Sequence, residues 1–325
     1  MGITIKDIAK RIGVSHTTVS RALNDSPLIS VPRKIEIQKV ASELGYQPNL
    51  KARSLVLNKT YNIGLYFSTL DIGVTSNFIF EILTIVEKAM PKLYNIVVRS
   101  VEDIENDKII DHKNYDGIIL VSQSESDNYI IDICSQKNLP LVVINRKIEE
   151  VSSYYCDEEK IFVAMVNYLV TKNYKNIAFI GGKKGTTTAF SRLKGYKNGI
   201  QNNHLKVRIY EGNYSVESGY DATDKILKLD QVDAIICAND AMALGCYKKL
   251  QEKGVNIGKD VGVVGFDNTP MDSFLFPSLS SIERPLKEMV FDGSSHLLTM
   301  IEKHRIEIKQ KEYELKIVLR DSIRS

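Results

Sequence analysis

Apolar residues recur with two different periods along the chain, and the change of period divides it in two. Within Thr4–Asn24, apolar side chains recur every three or four positions, which predicts two short amphipathic helices. From Tyr61 onward, short apolar runs alternate with longer amphipathic stretches. Runs of this kind are typical of buried parallel strands separated by helices. The pattern therefore predicts a small all-α unit followed by an α/β core of doubly wound parallel sheets.

The apolar runs of the second region are the predicted strands. The series restarts near Asp157, which predicts two half-domains, and the segments after Ser281 are expected to return and complete both. The predicted strands are Asn62–Phe67, Ile96–Val101, Gly117–Val121, Leu141–Ile144, Ile177–Ile180, Ala234–Cys237 and Val261–Gly265.

The first two predicted helices carry the signals of a tight helical pair. Thr4 can cap the first helix, with Asp7 three residues on to return the hydrogen bond. Gly13 permits the turn, and Ser15 can cap the second helix. This arrangement is typical of a helix-turn-helix, whose second helix lies in the major groove of DNA. The outward-facing residues that could bond phosphates or bases are Ser15, His16, Thr17, Ser20 and Arg21.

A third helix is predicted over Pro32–Leu44. Ser30 can cap it, Pro32 suits its first turn, and Gly45 can end it. Arg33 and Lys34 are expected to be free for phosphate contacts, which position a protein on DNA without reading sequence. The face expected to cover the first two helices comprises Ile35, Val40, Ala41 and Leu44.

Composition places the chain among ordinary globular proteins. Its 325 residues suffice for two or three domains, with 43% hydrophobic and 26% charged residues. No apolar run approaches the ~20 residues needed to span a membrane, and no basic-then-apolar signal opens the chain, so a cytoplasmic protein is expected. The cysteines lack metal or disulfide spacing. Buried thiols are therefore expected at Cys134, Cys156, Cys237 and Cys246.

The charge is distributed unevenly. Residues 1–60 carry ten Lys or Arg and four acids, so their net charge is +6, and because the whole chain has +3 the remainder has −3. A basic N-terminal region followed by a mildly acidic remainder is the charge distribution expected of a DNA-binding module joined to a part that does not contact DNA.

Several motifs together resemble the headpiece of the lactose/galactose-repressor (LacI/GalR) family. They are Asp7-Ile8-Ala9, Gly13-Val14-Ser15, Thr18-Val19-Ser20-Arg21, Leu44-Gly45-Tyr46-Gln47-Pro48-Asn49 and Ala52-Arg53-Ser54-Leu55. The resemblance covers essentially the whole chain. It implies a headpiece at 1–48, a hinge at 49–60, and a core at 61–325 like that of periplasmic sugar-binding proteins. The expected lobes are about 61–157 with 286–313, and about 158–285 with 314–325.

The resemblance also implies the residues that contact DNA. In the family, the segment 49–59 is a hinge helix that orders in the DNA-bound dimer, with Leu55 as an apolar wedge between base pairs. The alternative is a plain linker with Leu55 packed on the core. The expected DNA-binding residues are Thr4, Ser15, His16, Thr17, Thr18, Ser20, Arg21, Asn24, Arg33, Lys34, Asn49, Ala52, Arg53 and Leu55.

Candidate effector residues follow the predicted strands, because ligands of parallel sheets bind beyond the carboxyl ends of strands. Asn145, Asn239 and Asp267 occupy such positions, and Asn239 could instead cap the next helix, with Asp240 taking part. The resemblance implies that Asn239 and Asp267 bind the effector. It also adds Arg192 as an effector-binding arginine at the start of a helix, Tyr214 as a stacking ring and Phe78 as a cleft residue. The alternatives are a surface arginine and core aromatics.

Two positions depart from the family pattern and bear on the kind of ligand. Asn145 stands where many members have Asp, and Ile79 stands where a second aromatic residue is common. The effector need not be the one bound by the best-known relatives.

Enzymatic function is not expected. Gly181–Thr186 lacks the ending of a P-loop, and no nucleophile elbow or metal-binding pair occurs; His296 and His304 are expected on helix surfaces. We expect a homodimeric repressor on a pseudo-palindromic operator, without cofactor or metal, controlled by a sugar or glycoside. The alternatives are a nucleobase or nucleoside, a phosphocarrier-protein corepressor, and, more distantly, a small-molecule-binding protein of the periplasmic type.

Overall fold

The computed structural model describes residues 3–23, 26–46, 59–71, 75–102, 104 and 109–324. It divides into two compact units, Met1–Lys59 and Thr60–Ser325. We call the first the headpiece and the second the core.

The described residues of the headpiece form three helices, α1 (Ile5–Ile12), α2 (His16–Leu23) and α3 (Val31–Glu43). Its small apolar centre includes Ile8 and Val19, with Ile37 from α3. The prediction that Ile35 covers the other helices is wrong, because Ile35 is 60% exposed. The buried stripe of α3 runs through Ile37, and Ile35 falls outside its three- and four-residue spacing.

The ends of these helices follow the predicted caps with one exception. The Asp7 carboxylate accepts hydrogen bonds from the Thr4 backbone N–H and hydroxyl at 2.8 and 2.7 Å, which lower the pKa of Asp7. Gly13 has φ of +74° at the turn, and Ser15 Oγ accepts from the Thr18 N–H at 3.0 Å. The exception is Ser30, whose side chain makes no capping hydrogen bond.

The core contains two six-stranded sheets, which confirms the predicted doubly wound α/β architecture. The first lobe has the strand order β11-β5-β4-β3-β1-β2, and all its neighbouring strands are parallel. Its strands are β1 (Asn62–Phe67), β2 (Asn95–Ser100), β3 (Gly117–Val121), β4 (Leu141–Ile144), β5 (Ser152–Cys156) and β11 (Gln310–Tyr313). Its helices are α4 (Ser76–Ala89), α5 (Asn128–Gln136) and α10 (Leu286–Lys303), with a 3₁₀ turn at Glu125–Asp127.

The second lobe has the order β12-β10-β9-β8-β6-β7, with only the β10–β12 pair antiparallel. Its strands are β6 (Ile177–Ile180), β7 (Ile209–Tyr210), β8 (Ala234–Cys237), β9 (Gly262–Phe266), β10 (Ser280–Glu283) and β12 (Lys316–Val318). Its helices are α6 (Glu158–Thr171), α7 (Thr187–Asn202), α8 (Val216–Leu229) and α9 (Asp240–Glu252), with a 3₁₀ turn at Pro270–Phe274.

The chain passes between the lobes three times, after β5, after β10 and after β11. Buried apolar clusters cover both faces of the first sheet and pack around the second. This layering leaves the carboxyl ends of strands from both lobes facing each other, where a ligand site of an α/β protein is expected.

Two side chains differ from their predicted environment. Cys156 is half-buried, whereas Cys134, Cys237 and Cys246 are buried as predicted. His296 of α10 is half-buried rather than exposed on the helix surface, and its Nδ1 is 2.9 Å from the hydroxyl of Tyr154 in β5. Burial lowers the pKa of His296. None of the described helices combines the length and the apolar character that a membrane span requires.

Candidate functional site

A small cavity of about 30 Å³ lies between the two lobes, at the carboxyl ends of their strands. We call it the interlobe chamber. The six residues expected from the sequence at the effector site all line it, although they come from separate segments of both lobes. The lining residues are Thr75, Phe78, Gln123, Asn145, Thr188, Arg192, Tyr214, Asn239, Asp267 and Arg284.

Arg192 enters the chamber from the second turn of α7 and is only 4% exposed, so it is neither at the helix start nor a surface residue. Its Nε and Nη2 donate to the two Glu158 carboxylate oxygens at 2.8 and 2.9 Å. Nη1 donates to the Ala238 carbonyl, and the guanidinium lies 3.7 Å from the centre of the Phe266 ring. Burial alone would lower the pKa of Arg192, but the Glu158 carboxylate outweighs it and the net pKa is raised.

Asn239 both caps a helix and lines the chamber. Its Oδ1 accepts from the Met242 N–H at 2.9 Å, which begins α9, and its Nδ2 donates to the Tyr214 carbonyl at 3.0 Å. The alternative that Asn239 caps α9 is therefore present in the structure. Asp240 takes no part in capping: its carboxylate accepts from the Thr269 N–H at 3.0 Å and the Ser281 hydroxyl at 2.7 Å.

Tyr214 and Phe78 differ in burial. Tyr214 is 7% exposed, and its hydroxyl lies 3.3 Å from the Thr188 hydroxyl. Its ring covers Gly182 so closely that a Cβ there would lie 2.1 Å from the Tyr214 Cζ. Phe78, near the start of α4, is half-buried and packs against the first-lobe core. The ring of Tyr214 is therefore enclosed, whereas that of Phe78 is partly exposed.

Asn145 and Asp267 end strands of different lobes and are joined by one arginine. Arg284 Nη1 donates to Asn145 Oδ1 and Nη2 donates to Asp267 Oδ1, both at 2.5 Å. Both acceptors have left-handed backbones, with φ of +82° for Asn145 and +116° for Asp267. Backbone strain of this kind concentrates at functional sites.

Sequence reasoning missed Arg284 and Glu158. Arg284 directly follows β10, and the polar sequence of that strand gave no apolar run to mark its end. Glu158 sits in the first turn of α6, where an acid is also explained by the helix dipole. The missed lining residues also include Thr75, Gln123 and Thr188.

Two further features border the chamber. The lobes touch at Gln123, whose carbonyl accepts from the Thr187 N–H at 2.8 Å and from its hydroxyl at 3.0 Å. A larger cavity of about 420 Å³ shares Asn145 and Thr188 with the chamber and extends past Tyr155 and Ser191. Among the described residues, no cluster of His, Cys, Asp or Glu could hold a metal ion.

The headpiece presents the outer face of α2. Ser15, His16, Thr17 and Arg21 are exposed, whereas Thr18 and Ser20 are half-buried. Thr4 is exposed at the start of α1. Arg33 was expected to be free, but its guanidinium pairs with Glu36 at 2.5 Å, three residues along α3. Lys34 lies beside it in the first turn of α3. The expected residues Asn24, Asn49, Ala52, Arg53 and Leu55 lie outside the described residues.

Two family models match the chain and define the class of protein to which it belongs. Residues 4–49 match the family model described as bacterial regulatory proteins, lacI family, and residues 166–323 match the periplasmic binding protein-like domain. These two modules define a DNA-binding transcriptional regulator with a ligand-binding type of core. The lac repressor dimer bound to operator and the anti-inducer ONPF has a similar fold, with a TM-score of 0.84 and 23% identity over 100% of both chains.

Two relatives establish the family. The probable HTH-type transcriptional repressor ExuR of Bacillus subtilis (strain 168) is 34% identical over 328 residues, covering 99% of this chain and 98% of that protein. Catabolite control protein A of Priestia megaterium is 31% identical over 304 residues, covering 89% and 90%. The chain belongs to the LacI family of DNA-binding transcriptional repressors, and its relatives are regulators rather than enzymes.

Proposed function

We propose that the chain acts as a homodimer on a pseudo-palindromic operator, and that a sugar or glycoside bound in the interlobe chamber controls its affinity for DNA. The observation that carries the proposal is the convergence of Asn145, Arg192, Asn239 and Asp267 on one cavity between the lobes. A ligand that contacts both lobes can bias their arrangement, and its differential affinity for two arrangements sets the coupling.

The chemistry of the chamber suits hydroxyl groups. Asn145 offers an amide, Asp267 offers carboxylate oxygens, and Arg192 and Arg284 offer N–H donors within the same small volume. A sugar hydroxyl needs a donor and an acceptor side by side, and these groups supply both. Neighbours of similar fold include a CelR–cellobiose complex at TM-score 0.71 and 21% identity, and an Enterococcus faecium regulator with bound ribose at 0.71 and 19%.

A nucleobase or nucleoside, or a phosphocarrier-protein corepressor, is the alternative. PurR of Histophilus somni (strain 129Pt) is 28% identical over 339 residues, so relatives with different regulator names share the same architecture. The aromatic rings of Phe78 and Tyr214 could stack on a base as well as on a sugar.

On the DNA side, we propose that α2 enters the major groove. Its exposed His16 and Thr17 would read bases, and Arg21 would add a charged contact. The first turn of α3, with Arg33 and Lys34, would contact phosphates. The remaining proposed contacts are Thr4, Ser15, Thr18, Ser20, Asn24, Asn49, Ala52, Arg53 and Leu55.

A thermal-shift screen against sugars, sugar phosphates and nucleobases tests the effector assignment. A ligand that binds only the folded state raises the melting temperature by mass action. We expect a sugar to raise it, the shift to be lost in Asp267→Asn, and the shift to persist in Asp321→Asn. Asp321 is a suitable control because it lies outside the chamber lining and bonds to Ser278 in the second lobe.

The outcomes separate the alternatives. A shift only with purines or nucleosides would refute the sugar assignment and leave the repressor in place. No shift with any compound would point to a protein corepressor. Arg192→Ala is less informative than Asp267→Asn, because removal of Arg192 leaves the Glu158 charge buried without its partner.

A further inference from the structure

The guanidinium of Arg284 occupies the interlobe chamber between Asn145 and Asp267, two of the residues proposed to recognise the effector. The Arg284 side chain is 6% exposed, and the chamber around it retains about 30 Å³. A cavity needs about 10–15 Å³ to hold one water, so the free space corresponds to about two or three waters. Ligand sites for small molecules measure about 300 Å³ or more. The chamber in this structure is therefore too small for a sugar ring, and the guanidinium of Arg284 lies where such a ring would contact Asn145 and Asp267.

The contacts of Arg284 are those expected of a ligand. Its guanidinium bonds to Asn145 of the first lobe and to Asp267 of the second, each at 2.5 Å. It also lies 5.2 Å from the ring centre of Phe78 and 5.3 Å from that of Phe266, one ring from each lobe. One side chain thus joins the two lobes through the residues proposed to recognise the effector.

Arg284 also belongs to a segment that connects the two lobes. Arg284 lies between β10 of the second lobe and α10 of the first, within one of the three passages that connect the lobes. The hydrogen bonds of Arg284 and the connecting segment that contains it therefore both influence how the two lobes are arranged. Elsewhere between the lobes, Thr187 donates to the Gln123 carbonyl, and Lys183 lies 3.6 Å from Glu102. This second pair is exposed, and such pairs contribute little to stability.

We propose that the Arg284 side chain is a built-in occupant of the interlobe chamber. Arg284 holds the two lobes together in the absence of an effector, and an effector must displace it from Asn145 and Asp267 in order to bind. This inference rests on the proposed function in one respect, that the chamber is the effector site. An effector would then replace an existing bridge rather than close an open cleft. Its apparent affinity is reduced by the free energy of breaking that bridge.

The test measures the distance between the lobes without any effector. Spin labels are placed at Ser126 of the first lobe and Lys184 of the second, both exposed. The half-buried Cys156 is replaced by Ser, and the short distance between the labels is followed by dipolar broadening of the continuous-wave electron paramagnetic resonance spectrum. We expect Arg284→Met to shift the distribution to longer distances relative to the parent protein.

The matched control is Arg320→Met. Arg320 also holds the loop after β9, donating to Asn268 Oδ1 and the Leu279 carbonyl at 2.6 Å each, but all of these contacts lie within the second lobe. The control should leave the distance unchanged. Asn145→Gly provides a second way to break the bridge, since glycine accepts the left-handed backbone of Asn145. It should lengthen the distance as Arg284→Met does.

Chemical rescue tests whether a guanidinium group in the chamber is itself sufficient to hold the lobes together. In Arg284→Ala, methylguanidinium at millimolar concentration should restore the short distance, whereas sodium chloride at the same concentration should not. Equal distances in the parent, Arg284→Met and Asn145→Gly would overturn the inference.

The result is independent of the effector screen. If a sugar shifts the melting temperature through Asp267 while Arg284→Met leaves the lobes unmoved, the built-in occupant is refuted and the proposed effector site survives. If the lobes open but no small molecule binds, the effector assignment fails and the bridge stands.

Discussion

At the scale of single residues, the interlobe chamber contains two arginines that each have a carboxylate partner. Arg192 is paired with Glu158, and their side chains are 4% and 6% exposed. Buried charges of this kind are tolerated because each neutralises the other, and loss of one leaves the other buried and unpaired. Arg192 therefore has a structural role that is inseparable from its proposed contact with the effector.

We predict that Arg192→Met lowers the free energy of unfolding by about 3–5 kcal/mol, the usual effect of breaking a buried ion pair. Replacing both partners, as in Arg192→Met with Glu158→Leu, should cost less than the single change. Urea denaturation followed by circular dichroism measures both. The control is Lys194→Met, because Lys194 and Glu159 form a neighbouring pair with 52% and 32% exposed side chains. It should cost about 1 kcal/mol or less, and an equal cost for Arg192→Met would contradict the prediction.

Asp240 is a buried acid behind the chamber whose protonation depends on folding. Burial raises the pKa of Asp240 well above its ordinary value of 3.8, and the nearby Asp272 and Asp267 carboxylates raise it further. The Asp272 side chain is 1% exposed, and one of its oxygens, Oδ2, has no hydrogen-bond partner. The two acids are therefore best accommodated when one of them keeps its proton.

This environment predicts a pH dependence of stability. Because the pKa of Asp240 is raised in the folded state, folded protein holds the proton more tightly than unfolded protein between the two pKa values. Relative to Asp240→Asn, the wild type should lose unfolding free energy as the pH rises from about 4 toward the folded pKa, by up to about 1.4 kcal/mol per pH unit. Urea denaturation of both proteins at successive pH values measures the difference.

The control for the pH series is Asp260→Asn, since the hydrogen bonds from Asn256 lower the pKa of Asp260. Its comparison with wild type should show the opposite slope, with wild type gaining stability as the pH rises through the folded pKa. A difference between wild type and Asp240→Asn that does not change with pH would show that Asp240 titrates normally.

At the scale of secondary-structure elements, burial decided what could be predicted. Strands β1, β3, β4, β6 and β8 begin and end at the predicted residues, and β3, β4, β6 and β8 are buried at every position. A strand that is covered on both faces has a continuous run of apolar residues in its sequence, and such a run can be recognised without the structure. The missed strands β5, β7, β10, β11 and β12 are short or polar, and pairing with neighbours, rather than their own pattern, makes them strands.

The same rule explains the site residues. Asn145 and Asp267 were predicted because they follow apolar strands, β4 and β9. Arg284 was missed because it follows the polar strand β10, and its bond to Asn145 spans 139 positions of sequence. Contacts of that range depend on the assembled fold and leave no local trace in the chain.

The helices of the headpiece permit a test that separates base reading from phosphate contact. Thr17 is exposed on the outer face of α2, and Lys34 lies in the first turn of α3. Lys34→Ala should weaken binding to all DNA sequences alike and reduce the slope of log affinity against log salt by about 1. Thr17→Ala should leave that slope unchanged and alter the sequence preference.

Fluorescence anisotropy with operator and random duplexes at several salt concentrations measures both effects. Lys39→Ala is the control, because Lys39 is exposed further along α3, away from the first turn. A Lys34→Ala variant that retained the wild-type slope would place the first turn of α3 away from the DNA.

At the scale of the whole molecule, the division into two units separates the basic DNA-binding part of the chain from the proposed effector site. Residues 1–60 carry ten basic and four acidic side chains, and they coincide closely with the unit Met1–Lys59. The core Thr60–Ser325 contains both complete sheets and the entire lining of the interlobe chamber. The basic residues that would attract phosphates and the proposed effector site therefore lie in different units.

Removal of residues 1–59 should consequently abolish operator binding and leave effector binding unchanged. We expect the isolated core to melt cooperatively, to show the same effector-induced rise in melting temperature as the full chain, and to show no operator binding by anisotropy at low salt. A periplasmic-type binding protein would behave differently, because such a protein would lose no activity with the headpiece. Retention of operator binding by the core would refute the headpiece assignment. A core that folds but no longer responds to the effector would instead show that the headpiece contributes to the ligand site.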